Sequence, residues 1–188
     1  MPRNKVKQGA IFLDRDGVIN VPPARKRYVT QWNEFRFLPG VLSGLRKLRG
    51  TGRRVVVVSN QAGVGRGIFP RTRLQEITRN MRRAVETDGG RIHAVYYCIH
   101  TPQRRCRCRK PRTGLLLQAA RRFSLDLKRS FVVGDNATDI EMGRTAGCGT
   151  VLVLSGMTGR EEASRIQPAP DFIARNLADA VRWILRKR

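Results

Sequence analysis

Two aspartates stand two residues apart in Leu13-Asp14-Arg15-Asp16-Gly17. In extended backbone, residues i and i+2 project to the same side, so Asp14 and Asp16 can converge on one reacting atom. Read alone, the segment is equally an Asp-Gly turn with a solvated Asp14. A second acidic pair lies in Val132-Val133-Gly134-Asp135-Asn136-Ala137-Thr138-Asp139. Asp139 by itself merely complements a helix N-terminus, which favours negative charge. The chain has 14 acidic residues, eight of them Asp, so four Asp in two short segments is a concentration. Clustered carboxylates repel one another and any phosphate; Mg²⁺, which takes oxygen ligands and keeps its waters, is the natural compensation. Between the pairs stands Ser59-Asn60-Gln61-Ala62-Gly63-Val64-Gly65-Arg66-Gly67. A hydroxyl, the N–H groups after it and permissive glycines can cradle phosphate oxygens; a plain flexible loop is the competing reading. The three glycines do not form the G-x-G-x-x-G dinucleotide fingerprint. A metal, a phosphate cradle and a spare carboxylate together make a phosphoryl-transfer site.

A second chemistry sits in Cys98-Ile99-His100 and, after five residues, Cys106-Arg107-Cys108. Three thiolates and an imidazole are the four N/S ligands of a closed structural Zn²⁺ site. Arg104, Arg105, Arg107, Arg109 and Lys110 interleave with them, which disfavours burial as small apolar residues and favours the thiolate. With four ligands no position remains for water, so this zinc is expected to be architectural, pinning the loop that delivers Arg109 and Lys110. Cys148 reads as a small buried residue and His93 as a surface or packing residue. Trp32 and Phe35 either floor a pocket or fasten their loop, the second being favoured.

Positioning these groups falls to an alternation of short apolar runs and longer amphipathic ones. Strands are expected at 10–13, 54–59, 94–98, 130–134 and 150–154, and helices at 41–48, 71–86, 113–123, 137–145 and 178–186. Residues 21–37 and 155–171 read as loops. Strands alternating with helices imply a parallel sheet covered on both faces, with ligands outside the carboxyl ends of the strands. Each unusual segment above follows an apolar run.

The chain's 188 residues suit one domain, and 40% apolar content argues against disorder. No apolar run approaches a membrane span, and the stretch at 10–13 is too short for a signal-peptide core, so a cytoplasmic protein is expected. Lys and Arg number 38 against 14 acidic residues, a net charge of +24 that raises nucleic acid as a partner. The charges are spread along the chain, and only seven of the 38 are Lys, a skew that base composition also produces. Nucleic acid is therefore the minor expectation, and a monomer acting on a small anionic ligand the major one. No Walker lysine motif and no G-x-S-x-G elbow occurs.

The set LDRDG, VVVVSNQ, Arg109-Lys110-Pro111 and VVGDNATD resembles the four ordered motifs of the haloacid dehalogenase superfamily of phosphatases, from about residue 10 to the final helix. The resemblance implies a single α/β domain over 1–188, a Rossmann-like parallel sheet with helices on both faces, no large cap, and a zinc loop at 98–108. It implies that Asp14 is the nucleophile, forming an aspartyl-phosphate, and that Asp16 protonates the leaving oxygen and then activates water. Ser59 and Lys110 would hold the phosphoryl oxygens, and Asp14, Asp135 and the Asp16 carbonyl would bind Mg²⁺. Asn20, Asn60, Gln61, Arg109 and Asn136 are the candidate substrate contacts. The zinc loop followed by Arg-Lys-Pro resembles the capless branch of heptose-bisphosphate and histidinol-phosphate phosphatases. FLDRDGVIN, SNQAGVGRG and YYC-x-H lean to a sugar bisphosphate. The short zinc-loop gap and GDNATDI lean to histidinol phosphate, and Asn136 replaces a Lys often found in the heptose enzymes. A polynucleotide 3′-phosphatase or nucleic-acid-binding module is the alternative from another class.

Overall fold

The computed structural model describes residues 7–23 and 28–187. Its frame is one six-stranded sheet: β1 (Ala10–Leu13), β2 (Arg54–Asn60), β3 (Ala94–Cys98), β4 (Phe131–Gly134), β5 (Gly149–Val153) and β6 (Phe172–Ala174). The order is β3-β2-β1-β4-β5-β6, and every pairing is parallel. The order reverses between β1 and β4, so a crevice opens at their carboxyl ends, where such sheets bind ligands.

Alternation along the strands builds two cores. Ile11, Leu13, Val55, Val57, Val133, Val151 and Val153 face one side. There they meet α1 (Val41–Arg49), α3 (Arg71–Thr87) and α7 (Leu177–Leu185). Ala10, Phe12, Val56, Val58 and Val132 face the other, against α4 (Gly114–Phe123) and α5 (Ala137–Thr145). Both faces of the central strands are buried, which is why they read as continuous Val and Ile runs. At 1.5–3 kcal/mol or so per fully buried aliphatic side chain, these layers hold the frame rigid.

The expected strands and helices are present, with ends moved by a residue or so. Three elements have no counterpart in the periodicity. β6 is three residues long and forms because β5 offers it an edge, pairing Val151–Val153 with Phe172–Ala174. The four-residue helices α2 (Ala62–Gly65) and α6 (Arg160–Ala163) lie in segments read as loops, too short to show a 3.6-residue pattern. In the 21–37 loop, residues 24–27 lie outside the described set. The remainder carries a 3-10 turn at Trp32–Glu34, where Trp32 stacks on Phe35 with ring centroids 5.0 Å apart. Both pack on the α1 side of the core, so they fasten the loop. Among the described residues, only this loop and α1 lie between β1 and β2. No described helix is long and apolar enough to cross a membrane.

Candidate active site

The sheet sets the nucleophile candidate directly. The Asp14 N–H donates to Val133 O at 3.0 Å, extending the β1–β4 ladder one residue beyond β1. Asp135 follows β4, and its Oδ2 accepts from the Met157 N–H at 2.8 Å. Two glycines make room for it. Gly17 has φ +83°, and a methyl group there would lie 2.3 Å from Asp135 Oδ2; one on Gly156 would lie 2.1 Å away. Ser155 ties the two segments by donating to Gly17 O at 2.8 Å. The 155–157 stretch is thus part of the site, although its sequence reads only as a loop.

Lys110 is the pivot. Its buried ammonium lies 2.8 Å from Asp14 Oδ1 and 2.6 Å from Asp139 Oδ1. Burial alone would lower its pKa, but Asp139 and Asp14 outweigh that and hold the ammonium above the usual lysine range. Asp139 therefore does more than complement α5: it is the counter-charge of Lys110, presented from the first turn of that helix. Asn60 fixes the lysine's backbone, its Oδ1 accepting from the Lys110 N–H at 3.1 Å and its Nδ2 donating to Lys110 O at 3.4 Å.

Asp14, Asp135 and Asp139 present carboxylate oxygens within 4.8 Å of one another, all buried. Burial first, and then repulsion from Asp14 and Asp139, push Asp135 up to about 7. Burial and Asp14 raise Asp139 to about 6 although Lys110 pulls it down. One ammonium does not neutralise three buried carboxylates, and Asp139 Oδ2 has no hydrogen-bond partner. That electrostatic deficit and an all-oxygen donor set fit a hard dication such as Mg²⁺. Asp14 and Asp135, the side chains that the resemblance implies as its ligands, are both in this cluster.

Asp16 lives in a different setting. Its Oδ1 accepts from Asn20 Nδ2 at 2.9 Å and its Oδ2 from Gln61 Nε2 at 2.8 Å, while Arg15 reaches both oxygens. Burial would raise its pKa, but Arg15, Asn20 and Gln61 hold it below the ordinary carboxyl range. Asn20 and Gln61 are almost wholly buried. Neither lines the cavity; their amide nitrogens donate to Asp16, which places them behind it. Of the segment 59–67 read as a phosphate cradle, Ser59 and Asn60 line the cavity, while the glycines lie beyond it. The chain coils into α2, and a methyl group on Gly65 would lie 2.2 Å from Ile99 O, so this glycine serves close packing against the thiol loop.

The cavity above these groups holds about 380 Å³ and is lined by Asp14, Asp16, Ser59, Asn60, Arg109, Lys110, Asp135 and Asn136, with Pro22, Pro23 and Met157 as apolar walls. Asn136 caps α5, its Oδ1 accepting from the Thr138 N–H at 3.1 Å. Arg109 Nη1 is buried without a partner.

The four thiol-loop candidates also come together. Cys98, Cys106 and Cys108 Sγ atoms are 3.3–3.5 Å apart, and His100 Nδ1 is 3.2 Å from Cys108 Sγ. Burial pushes the Cys98 thiol up to about 12. Cys106 falls to about 6 against burial, because the Cys108 and Cys98 thiols stabilise its thiolate. Soft donors at the corners of a small tetrahedron fit Zn²⁺, since Zn–S bonds of about 2.3 Å require S–S edges only slightly longer than these. Cys148 is buried apart from the cluster. His93 joins strands: its Nδ1 accepts from the Val55 N–H at 3.0 Å.

Residues 107–180 match the HAD-hydrolase-like family model. Over 186 residues the chain is 34% identical to D-glycero-beta-D-manno-heptose-1,7-bisphosphate 7-phosphatase of Escherichia coli K12, covering 95% of each chain. The Photorhabdus laumondii protein of that name is also 34% identical, over 90% of this chain and 92% of that one. The D,D-heptose 1,7-bisphosphate phosphatase of B. bronchiseptica, solved with magnesium and phosphate, superposes with a TM-score of 0.88 at 33% identity, over 96% of this chain and 100% of that one. The chain belongs to the haloacid dehalogenase-like phosphatases. Members of that family are phosphoric monoester hydrolases, and their four motifs correspond here to the ends of β1, β2 and β4 and to the turn that carries Lys110.

Proposed function

We propose that this phosphatase removes the 7-phosphate of D-glycero-D-manno-heptose 1,7-bisphosphate through an aspartyl-phosphate on Asp14. The observation that carries the chemistry is the Asp14–Lys110–Asp139 array at the β1/β4 crevice beside Asp135. The likeness to heptose-bisphosphate phosphatases along nearly the whole chain supports the substrate.

Asp14 attacks phosphorus with one carboxylate oxygen while Lys110 holds the other and screens it from the incoming phosphate. The Ser59 hydroxyl and the Lys110 ammonium bind the equatorial oxygens of the transferring group. Asp16, a carboxylate in the free site, takes up a proton as the anionic ester crowds it, gives that proton to the leaving oxygen, and as a carboxylate again takes one from the water that opens the aspartyl-phosphate. Mg²⁺, when bound by Asp14, Asp135 and the Asp16 carbonyl, offsets charge on the phosphoryl oxygens and the carboxylates. Zn²⁺ on Cys98, His100, Cys106 and Cys108 holds the loop from which Arg109 and Lys110 reach the cavity. Arg109, with Nη1 unpaired and buried beside that cavity, is placed to clamp the second phosphate of a bisphosphate. Asn60 and Asn136 line the path of the sugar.

Phosphate release from heptose bisphosphate, histidinol phosphate, fructose bisphosphate and a 3′-phosphorylated oligonucleotide tests the reading. The heptose ester should have the highest kcat/KM. Preference for histidinol phosphate would move the enzyme to the neighbouring branch, and preference for the oligonucleotide would make the basic surface the substrate platform.

A further inference from the structure

We propose that Arg15, the residue between the two active-site aspartates, is a positioning residue that fixes the Asp16 carboxyl in the plane from which it protonates the leaving oxygen. The proposal rests on the acid–base reading of Asp16 given above. The Arg15 side chain is completely buried, whereas that of Asp16 is 23% exposed and lines the cavity. Arg15 Nε donates to Asp16 Oδ1 at 3.1 Å, and Nη2 reaches Oδ1 at 2.9 Å and Oδ2 at 3.0 Å. Two guanidinium nitrogens on one carboxyl group set its orientation as well as its distance, which a lysine's point charge does not do.

The arginine is itself held from both ends. Its carbonyl accepts from the N–H groups of Val18, Ile19 and Asn20 at 3.4, 2.8 and 3.1 Å, closing the turn after β1. Behind its guanidinium lies Tyr97 of β3, with the ring centroid 6.0 Å from Cζ. Thr78 of α3 spends its proton on Leu74 O at 2.7 Å, so in the 3.0 Å pair with Thr78 the Tyr97 hydroxyl is the donor. Tied in this way to α3, the Tyr97 ring backs the guanidinium from β3. Arg15 Nη1 remains buried without a partner. A buried arginine with an unpaired nitrogen is a costly way to fill space, and an apolar residue would pack there better. Asn20 and Gln61 each hold one Asp16 oxygen, whereas Arg15 reaches both and so sets the plane of the carboxyl group.

The chemistry supplies a readout that mere structural support would not move. As the Asp14–phosphorus bond forms, the bond from phosphorus to the leaving oxygen breaks and its electron pair stays on that oxygen. A sugar alkoxide needs the Asp16 proton at that moment, whereas 4-nitrophenolate leaves without one. The experiment compares kcat/KM, which reports the first transfer, for the preferred sugar phosphate and for 4-nitrophenyl phosphate in wild type, Asp16→Asn, Arg15→Lys and Tyr97→Phe. Asp16→Asn should lose about 10²–10⁴-fold on the sugar phosphate and far less on the aryl ester. Arg15→Lys should reproduce that selectivity, with at least a tenfold larger loss on the sugar. Tyr97→Phe, a milder change if Arg15→Lys folds poorly, should show the same bias at a few-fold. Equal losses on both esters in the Arg15 and Tyr97 variants, with Asp16→Asn selective, overturn the positioning role alone. A non-selective Asp16→Asn overturns it together with the acid–base reading.

Discussion

The carboxylate cluster and the thiol loop each bring ligand groups into contact, but they are held together differently. Asp14 and Asp135 leave the ends of paired central strands, and Asp14 is fastened by a backbone hydrogen bond to Val133. Lys110 supplies a resident cation to that side. Beyond Cys98 the thiol loop has the 3-10 turn Pro102–Arg104, two backbone bonds at its far end (Arg112 N–H to Arg109 O and Gly114 N–H to Arg107 O) and a few side-chain ties, among them Arg112 Nη1 to Cys106 O at 2.8 Å. The sheet therefore holds its site's shape through backbone bonds, and the loop is the region that a bound ion would stiffen most. Lys110 belongs to both regions, which makes phosphate binding sensitive to the loop.

The largest expected effect is on the sheet side. Asp14→Asn should cost about 10⁴-fold or more in kcat, on the scale of enzymes that lose a covalent nucleophile, with an unchanged circular dichroism spectrum. Near-normal turnover by a clean preparation would remove the aspartyl-phosphate mechanism. On the loop side, wild type should hold about one zinc per chain and Cys106→Ala should lose it. A shift of Arg109 and Lys110 by about 1 Å then costs about a hundredfold in kcat/KM. Amide exchange should rise over 99–109 and stay low in β1 and β4. Faster exchange throughout the sheet would erase the contrast.

Asp139→Ala tests the resident cation, leaving the buried Lys110 with one partner. A destabilisation of about 3–5 kcal/mol is expected, measurable by urea unfolding, with Asp139→Asn milder. A change below 1 kcal/mol or so would mean that the pair is not structural.

The pH dependence separates the ion's effect from the sheet's. Asp135 titrates at about 7 in the metal-free fold, above an unfolded carboxyl. Between ordinary carboxyl pH and about 7 the folded state binds more protons than the unfolded state. Its contribution to stability falls as pH rises through that window and stays low above it. Mg²⁺ should relieve the repulsion, raising Tm more at pH 8 than at pH 5; an equal rise at both would place the ion elsewhere. The smallest effect is expected from Arg109→Ala. KM for a bisphosphate should rise about 10–100-fold, as loss of one charge-assisted bond implies, with little change for a monophosphate.

What the sequence determined by itself is the frame and the chemical inventory. Valine and isoleucine runs fixed the central strands, because a strand buried on both faces must be apolar throughout. The groups able to do chemistry, Asp14, Asp16, Ser59, Asp135 and the Cys/His set, follow those runs, and ligand type and spacing are readable without coordinates. Tertiary structure alone decided which of them meet. Asp139 pairs with a lysine 29 positions earlier, and Gln61 reaches back 45 residues to Asp16. Arg15 lies buried between two acids that a strand pattern would place on the opposite side from it. Gly63 and Gly65, two of the glycines that suggested a phosphate cradle, are small because Phe69 and the Ile99 carbonyl press against them. Periodicity reports which face of an element is apolar; it carries no record of which distant side chain will neutralise a buried charge, and at this site that pairing sets the chemistry.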